Sequence, residues 1–188
     1  MINLGFAMCG SFCTFSKAVN ALRELKDEGY CITPIMSGTA YATDTRFGKA
    51  KDFNREIEEI TSHEIIHTIF QAEPIGPKKL LDILLVCPCT GNTLAKIANG
   101  VTDTAVTLAV KAHLRNERPV VLFVSTNDAL GASAKNIGLL MNCRNIYFVP
   151  MKQDDFVNKP NSVVADFASI SPALRNALEG KQTEPLLI

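Results

Sequence analysis
The sequence predicts an α/β fold: a three-layer, doubly wound, mainly parallel sheet with helices on both faces. Three observations predict it. Short runs that are nearly pure hydrocarbon recur along the chain, as strands covered on both sides must be. Segments of helical periodicity separate them, and such alternation implies parallel strands joined by crossover helices. Three of the runs empty into turns of small hydroxyl and amide residues, at the strand ends where open α/β sheets hold ligands.

The elements follow in order. Ile2–Ala7 reads as the first strand, and Met8–Thr14, with Gly10 and Ser11, as a turn. The next stretch is helical, with Val19, Leu22 and Leu25 on one face and Gly29 as its stop. Cys31–Met36 is the second strand, and Ser37-Gly38-Thr39-Ala40 the second polar turn. Tyr41–Lys51 reads as a loop or a short helix, Phe53–Thr61 as a charged helix, and Ile65–Phe70 as a third strand. Pro74, Gly76 and Pro77 break the chain before the strand Ile83–Cys87. Helix follows over Thr90–Asn99, and Asp103 is the expected cap of another helix reaching about Arg115. Pro119–Val124 is a strand leading into the turn Ser125-Thr126-Asn127-Asp128. Ala134–Met141 is helical, Ile146–Val149 is the expected last strand, and a short helix lies around Ala173–Glu179. No repeat or linker interrupts the pattern, so residues 1–188 are expected to form one domain of the Rossmann-like or flavodoxin-like plan.

Composition narrows the function. Nineteen Lys and Arg balance nineteen Asp and Glu. A sequence-blind nucleic-acid binder needs a basic surface, so nucleic acid is not an expected partner. No apolar run approaches the ~20 residues that cross a bilayer, and Met1-Ile2-Asn3-Leu4-Gly5 lacks the basic start of a signal peptide. No membrane association is expected. The six cysteines, Cys9, Cys13, Cys31, Cys87, Cys89 and Cys143, lie mostly in or beside apolar strands, which suits reduced thiols in a cytoplasmic protein. Cys87 and Cys89 have no second ligand pair, and His63 and His67 lack the glutamate of a zinc helix, so no metal is expected.

The chemistry gathers at the three turns. Gly10 lets the backbone approach a phosphate and Ser11 adds a hydroxyl; the plain alternative is a strand-to-helix turn with a serine cap. Ser37 carries the same two readings. Pro88-Cys89-Thr90-Gly91-Asn92-Thr93 follows a buried strand and opens a helix, whose free N–H groups suit an anion. Asn92 and Asn127 can each donate to and accept from a ring edge or carboxylate, or else close an Asx turn. Lys96 is placed to neutralise a phosphate or to be solvated. His113, late in its helix, reads as solvated or as a partner of the helix dipole. Neither the Gly-x-Gly-x-x-Gly fingerprint nor the Walker pattern occurs.

Residues Pro88 to Lys96, then Gly100 and Asp103, resemble the Pro-Ala-Ser-Ala-Asn-Thr segment of the homo-oligomeric flavin-containing cysteine decarboxylase family. That family includes phosphopantothenoylcysteine and peptidyl-cysteine decarboxylases and flavin prenyltransferases. The resemblance spans roughly residues 2–150 and implies FMN, with its phosphate at Gly10, Ser11 and Ser37 and further contacts from Thr90, Asn92, Thr93 and Asn127. Asn92 is the candidate catalytic residue. Gly91-Asn92-Thr93-Leu94-Ala95-Lys96, Ser125 to Gly131, Asn145 to Pro150 and Gln153-Asp154-Asp155 resemble the dipicolinate-forming branch of the family. This implies an oxidoreductase subunit, acting on a dihydrodipicolinate-type precursor to give dipicolinic acid during endospore formation. It implies an A-subunit partner carrying a nicotinamide-nucleotide-binding fold, and a homotrimer or a multiple of one. A non-catalytic partner subunit, or an FMN-dependent decarboxylase or prenyltransferase, are the alternatives. Cys89 and Gly91 stand where the family has alanines, Val124-Ser125-Thr126 replaces Pro-Ala-Met, and the decarboxylases' histidine finds no counterpart before His63. These departures count against cysteine decarboxylation.

Overall fold
A computed structural model describes residues 1–188. Its elements in order are β1 (Asn3–Met8), α1 (Phe15–Asp27), β2 (Cys31–Met36), α2 (Gly38–Ala42), α3 (Ala50–Thr61), α4 (Ile69–Ala72), β3 (Ile83–Cys89) and α5 (Gly91–Ala98). Then come α6 (Ala105–Arg115), β4 (Val120–Thr126), α7 (Ala134–Met141), β5 (Ile146–Phe148), β6 (Met151–Gln153), β7 (Val163–Ala165) and α8 (Ile170–Leu178).

Five parallel strands stand in the order β2-β1-β3-β4-β5. This is the flavodoxin-like order, whose connections reverse direction between β1 and β3 and leave a crevice beyond the strand tips there. Every residue of β3 is buried, and so are Val120–Ser125 of β4. That is why these strands read as unbroken hydrocarbon: both faces are covered. Helices α1, α3 and α8 cover one face, and α5, α6 and α7 the other.

Four expectations need correction. Ile65–Phe70 forms no strand: only Ile66 bridges Ile35 of β2, and Ile69 already begins α4. A capping box between Thr68 and Gln71 starts that helix, so the local side-chain bonds override the β-branched run. Ile69 and Phe70 stay exposed. Ile146–Phe148 is not the last strand, because β6 and β7 pair antiparallel beyond it, and β7 pairs antiparallel with the end of β4. Three residues apiece are too few for a visible alternation. Thr104, not Asp103, caps α6: its hydroxyl accepts from Thr107 N–H, while Asp103 holds Lys96 at 2.8 Å. His113 is neither solvated nor paired with a helix end but buried, and its Nε2 has no hydrogen-bond partner. The Tyr41–Lys51 stretch divides into the end of α2, a tight turn joining Thr45 and Gly48, and the first residues of α3.

Candidate functional site
The tips of β1, β3 and β4 are neighbours in the sheet, so three turns far apart in sequence open on one cleft of about 750 Å³. Gly10, Ser11, Phe12 and Cys13 line it from the first turn, Thr90, Gly91 and Asn92 from the second. Ser125, Thr126, Asn127 and Asp128 line it from the third. The size lies within the usual range for small-molecule sites.

Direct contacts lock the turns together. The Ser11 and Ser125 hydroxyl oxygens lie 2.9 Å apart, and Cys9 N–H donates to the Pro88 carbonyl at 3.2 Å. Thr126 Oγ1 and Ser133 Oγ both donate to Asp128 Oδ1, at 2.5 and 2.9 Å. A Cβ added at Gly91 would sit 2.6–2.8 Å from Ser133 Oγ, Asp128 Oδ1 and Thr126 Oγ1. Only glycine therefore lets the start of α5 lie against the third turn. Thr90 caps α5 by accepting from Thr93 N–H, which leaves the N–H groups of Gly91 and Asn92 without an intrahelical acceptor.

The expected residues divide in two. Gly10, Ser11, Thr90, Asn92 and Asn127 line the cleft. Ser37 and Thr93 do not. Ser37 Oγ accepts from Ala40 N–H as the cap of α2, and its own N–H donates to the Met8 carbonyl. Thr93 is buried beneath the Thr90 cap. Lys96 is tied to Asp103 away from the cleft wall. Arg46, Phe47, Asp154, Lys159, Ser162 and Val164 complete the cleft and were not expected there. Arg46 lies over the Phe47 ring at 4.9 Å, in the turn before α3. Lys159 pairs with Asp154 at 3.4 Å on the β6–β7 connection. No spacing rule links these segments to the strand tips; the signal available was the Gln153-Asp154-Asp155 likeness. A second groove of about 720 Å³ lies between α1 and the β6–β7 hairpin, sharing Cys13, Asp154, Lys159 and Val164 with the cleft. Converging hydroxyls, amides and free N–H groups make the strand-tip cleft the candidate site.

The thiols buried behind the strand tips are held protonated. Burial pushes Cys9 up to about 11, against the opposing effect of bonds from Thr93 and Thr90 and the charge of Lys96. Burial also drives Cys87 and Cys89 well above the ordinary thiol value, so all three keep their protons. Partial desolvation would raise Asp154, but the Ser162 hydroxyl, its backbone bond and Lys159 together hold it below the ordinary carboxylate value. No three of the His, Cys, Asp and Glu residues are grouped to hold a metal ion. His67 instead stacks on Tyr41 with ring centroids 3.7 Å apart.

A family model described as Flavoprotein matches residues 1–169. The chain belongs to the flavoprotein family. Within it, the chain is 42% identical to the B subunit of dipicolinate synthase from Bacillus subtilis (strain 168) over 185 residues, 98% of this chain and 92% of that protein. The crystal structure of the corresponding dipicolinate synthase protein from Bacillus halodurans superposes with a TM-score of 0.91 at 41% identity, covering 100% of this chain and 96% of that one. The FMN-dependent cysteine decarboxylase SpaF shares the flavoprotein fold, with a TM-score of 0.67 at 24% identity over 94% of this chain and 97% of that one.

The donor set of the cleft fits the flavin that the family name implies. The Ser11 and Ser125 hydroxyls and the free N–H groups of α5 suit a phosphate. Asn92 and Asn127 offer paired donors and acceptors to a polar ring edge. Phe12 and Phe47 offer ring faces, and Arg46 and Lys159 offer positive charge.

Proposed function
We propose that this chain works as the B subunit of a dipicolinate synthase, taking part in the oxidation of a dihydrodipicolinate-type precursor to dipicolinic acid during endospore formation. The near-full-length likeness to the Bacillus subtilis protein carries this reading, and the assembled strand-tip cleft supports it. FMN in that cleft would supply two-electron chemistry, and the protein position and electrostatics. Ser11, Ser125 and the start of α5 would hold its phosphate, with Gly10 keeping the approach open. Asn92 and Asn127 would orient the ring or a substrate carboxylate, while Arg46 and Lys159 offset the charge of a diacid. The remaining parts of the reading are an A-subunit partner with a nicotinamide nucleotide, a homotrimer or a multiple of one, and a cytoplasmic location.

Titration of the purified protein with FMN, followed by the visible spectrum, tests the cofactor. Absence of binding even with the partner subunit present removes the flavin from the proposal. Replacing Asn92 with alanine in the two-subunit complex tests the catalytic role. A loss of dipicolinate output of about tenfold or more is expected, since a positioning contact is removed. Full output from a folded complex would favour a non-catalytic partner. None of His63, His67 and His113 lines the cleft, which stands with the sequence departures against cysteine decarboxylation; turnover of a peptidyl- or pantothenoyl-cysteine would reverse that reading.

A further inference from the structure
The geometry points to Asp128 as the group that accepts the ring proton when the substrate becomes aromatic, an inference that rests on the dipicolinate reading. Oxidising a dihydropyridine-type ring removes one hydride and one proton. One C–H bond breaks with its electron pair passing to an oxidised nicotinamide or flavin nucleotide. The other breaks with its pair retained to close the aromatic system, and its proton needs an acceptor.

The groups most used for that task are imidazoles and carboxylates. No imidazole lines the cleft, and its carboxylates are Asp128 and Asp154. Asp154 is already engaged by Lys159 at 3.4 Å and by Ser162. Asp128 differs. Its Oδ1 takes both hydroxyl bonds, from Thr126 at 2.5 Å and Ser133 at 2.9 Å. Its Oδ2 receives no protein donor and is not among the buried unpartnered atoms, so it stays open to solvent on a residue that lines the cleft. The carboxylate is also pressed against Gly91, next to Asn92. One oxygen therefore anchors the group and the other is left without a protein partner. An acceptor held in this way needs no rearrangement when the proton arrives.

Asp128→Asn is the discriminating variant, because the amide oxygen can still accept from Thr126 and Ser133 while the basic oxygen is lost. In the two-subunit complex, supplied with dihydrodipicolinate, turnover is expected to fall on the order of 10²–10⁴-fold. The FMN spectrum and melting temperature should stay near those of the unmodified chain. Asp128→Glu should restore part of the rate. Ser133→Ala removes one of the two hydroxyl bonds but keeps the carboxylate, and should lower turnover by about tenfold, since one charge-assisted hydrogen bond is lost. Turnover of Asp128→Asn within threefold of the unmodified complex overturns the assignment. So does an equal loss in Ser133→Ala, which would make Asp128 a scaffold only. If Asp128→Asn does not fold, the pH–rate profile of the unmodified complex decides: a fall on the acidic side supports a carboxylate acceptor, and a flat acidic side rejects it. An unmodified complex that forms no dipicolinate overturns the functional reading and this inference together. An active complex whose Asp128→Asn variant is equally active overturns this inference alone.

Discussion
Gly91 shows how one missing side chain shapes the site. Three oxygens already occupy the space a Cβ would take, and two of them are fixed by their bonds to the third. Gly91→Ala must therefore push α5 away from the third turn. We expect a loss of about 1–3 kcal/mol, the usual range for overpacking, read by chemical denaturation, with weaker FMN binding in the same variant. A stable Gly91→Ala chain with full affinity would show that the turns can separate freely. The sequence marks this glycine as a departure from the family's alanine, but the reason lies in Thr126, Asp128 and Ser133, which no local spacing connects to it. Gly10, Ser11, Thr90, Asn92 and Asn127 were legible because each follows a hydrocarbon strand. Ser37 follows one as well, yet it caps α2 outside the cleft. Position after a strand does not say which strand tips open on the cleft: those of β1, β3 and β4 do, and that of β2, at the edge of the sheet, does not.

At the scale of elements, the parallel strands were legible and the hairpin was not. Burial on both faces leaves an uninterrupted apolar run in β3 and β4, whereas β6 and β7 have three residues each and partly exposed faces. Helix starts are decided by side-chain bonds that adjacent residues can equally offer. Thr104, rather than Asp103, makes the reciprocal pair with Thr107 at the head of α6. Thr104→Ala should cost about 1 kcal/mol, seen as a lower melting temperature. Asp103→Ala should cost less, since its pairing with Lys96 is an exposed contact. Equal losses would return the capping role to Asp103. Arg46 and Lys159 could not be placed in advance because each sits on a connection whose path depends on long-range packing.

For the whole molecule, His113 ties stability to pH. Burial first, and the Arg118 charge second, push its pKa from 6.5 down to about 4, with Asp82 acting in the opposite direction. The unfolded chain takes up this proton near 6.5, while the native state refuses it until about 4. Stability is thus undiminished above about pH 6.5 and falls as the pH drops toward 4, by up to about 3 kcal/mol from this residue. His113→Leu should flatten that part of the stability–pH curve, measured by denaturant unfolding at several pH values. An unchanged slope would locate the acid sensitivity elsewhere.

The last residues of the chain bear on how copies of the molecule meet. Met151 N–H donates to the Leu186 carbonyl and Ile188 N–H donates to the Met151 carbonyl, so Leu186–Ile188 runs parallel to β6 along its outer side. An open border there would offer backbone groups to any passing chain. The molecule hems that border with its own tail. Removing the last three residues should leave the strand-tip cleft in place while increasing light scattering in concentrated samples. A fusion partner joined directly at Ile188 would pull on the same hem, so a spacer belongs between them.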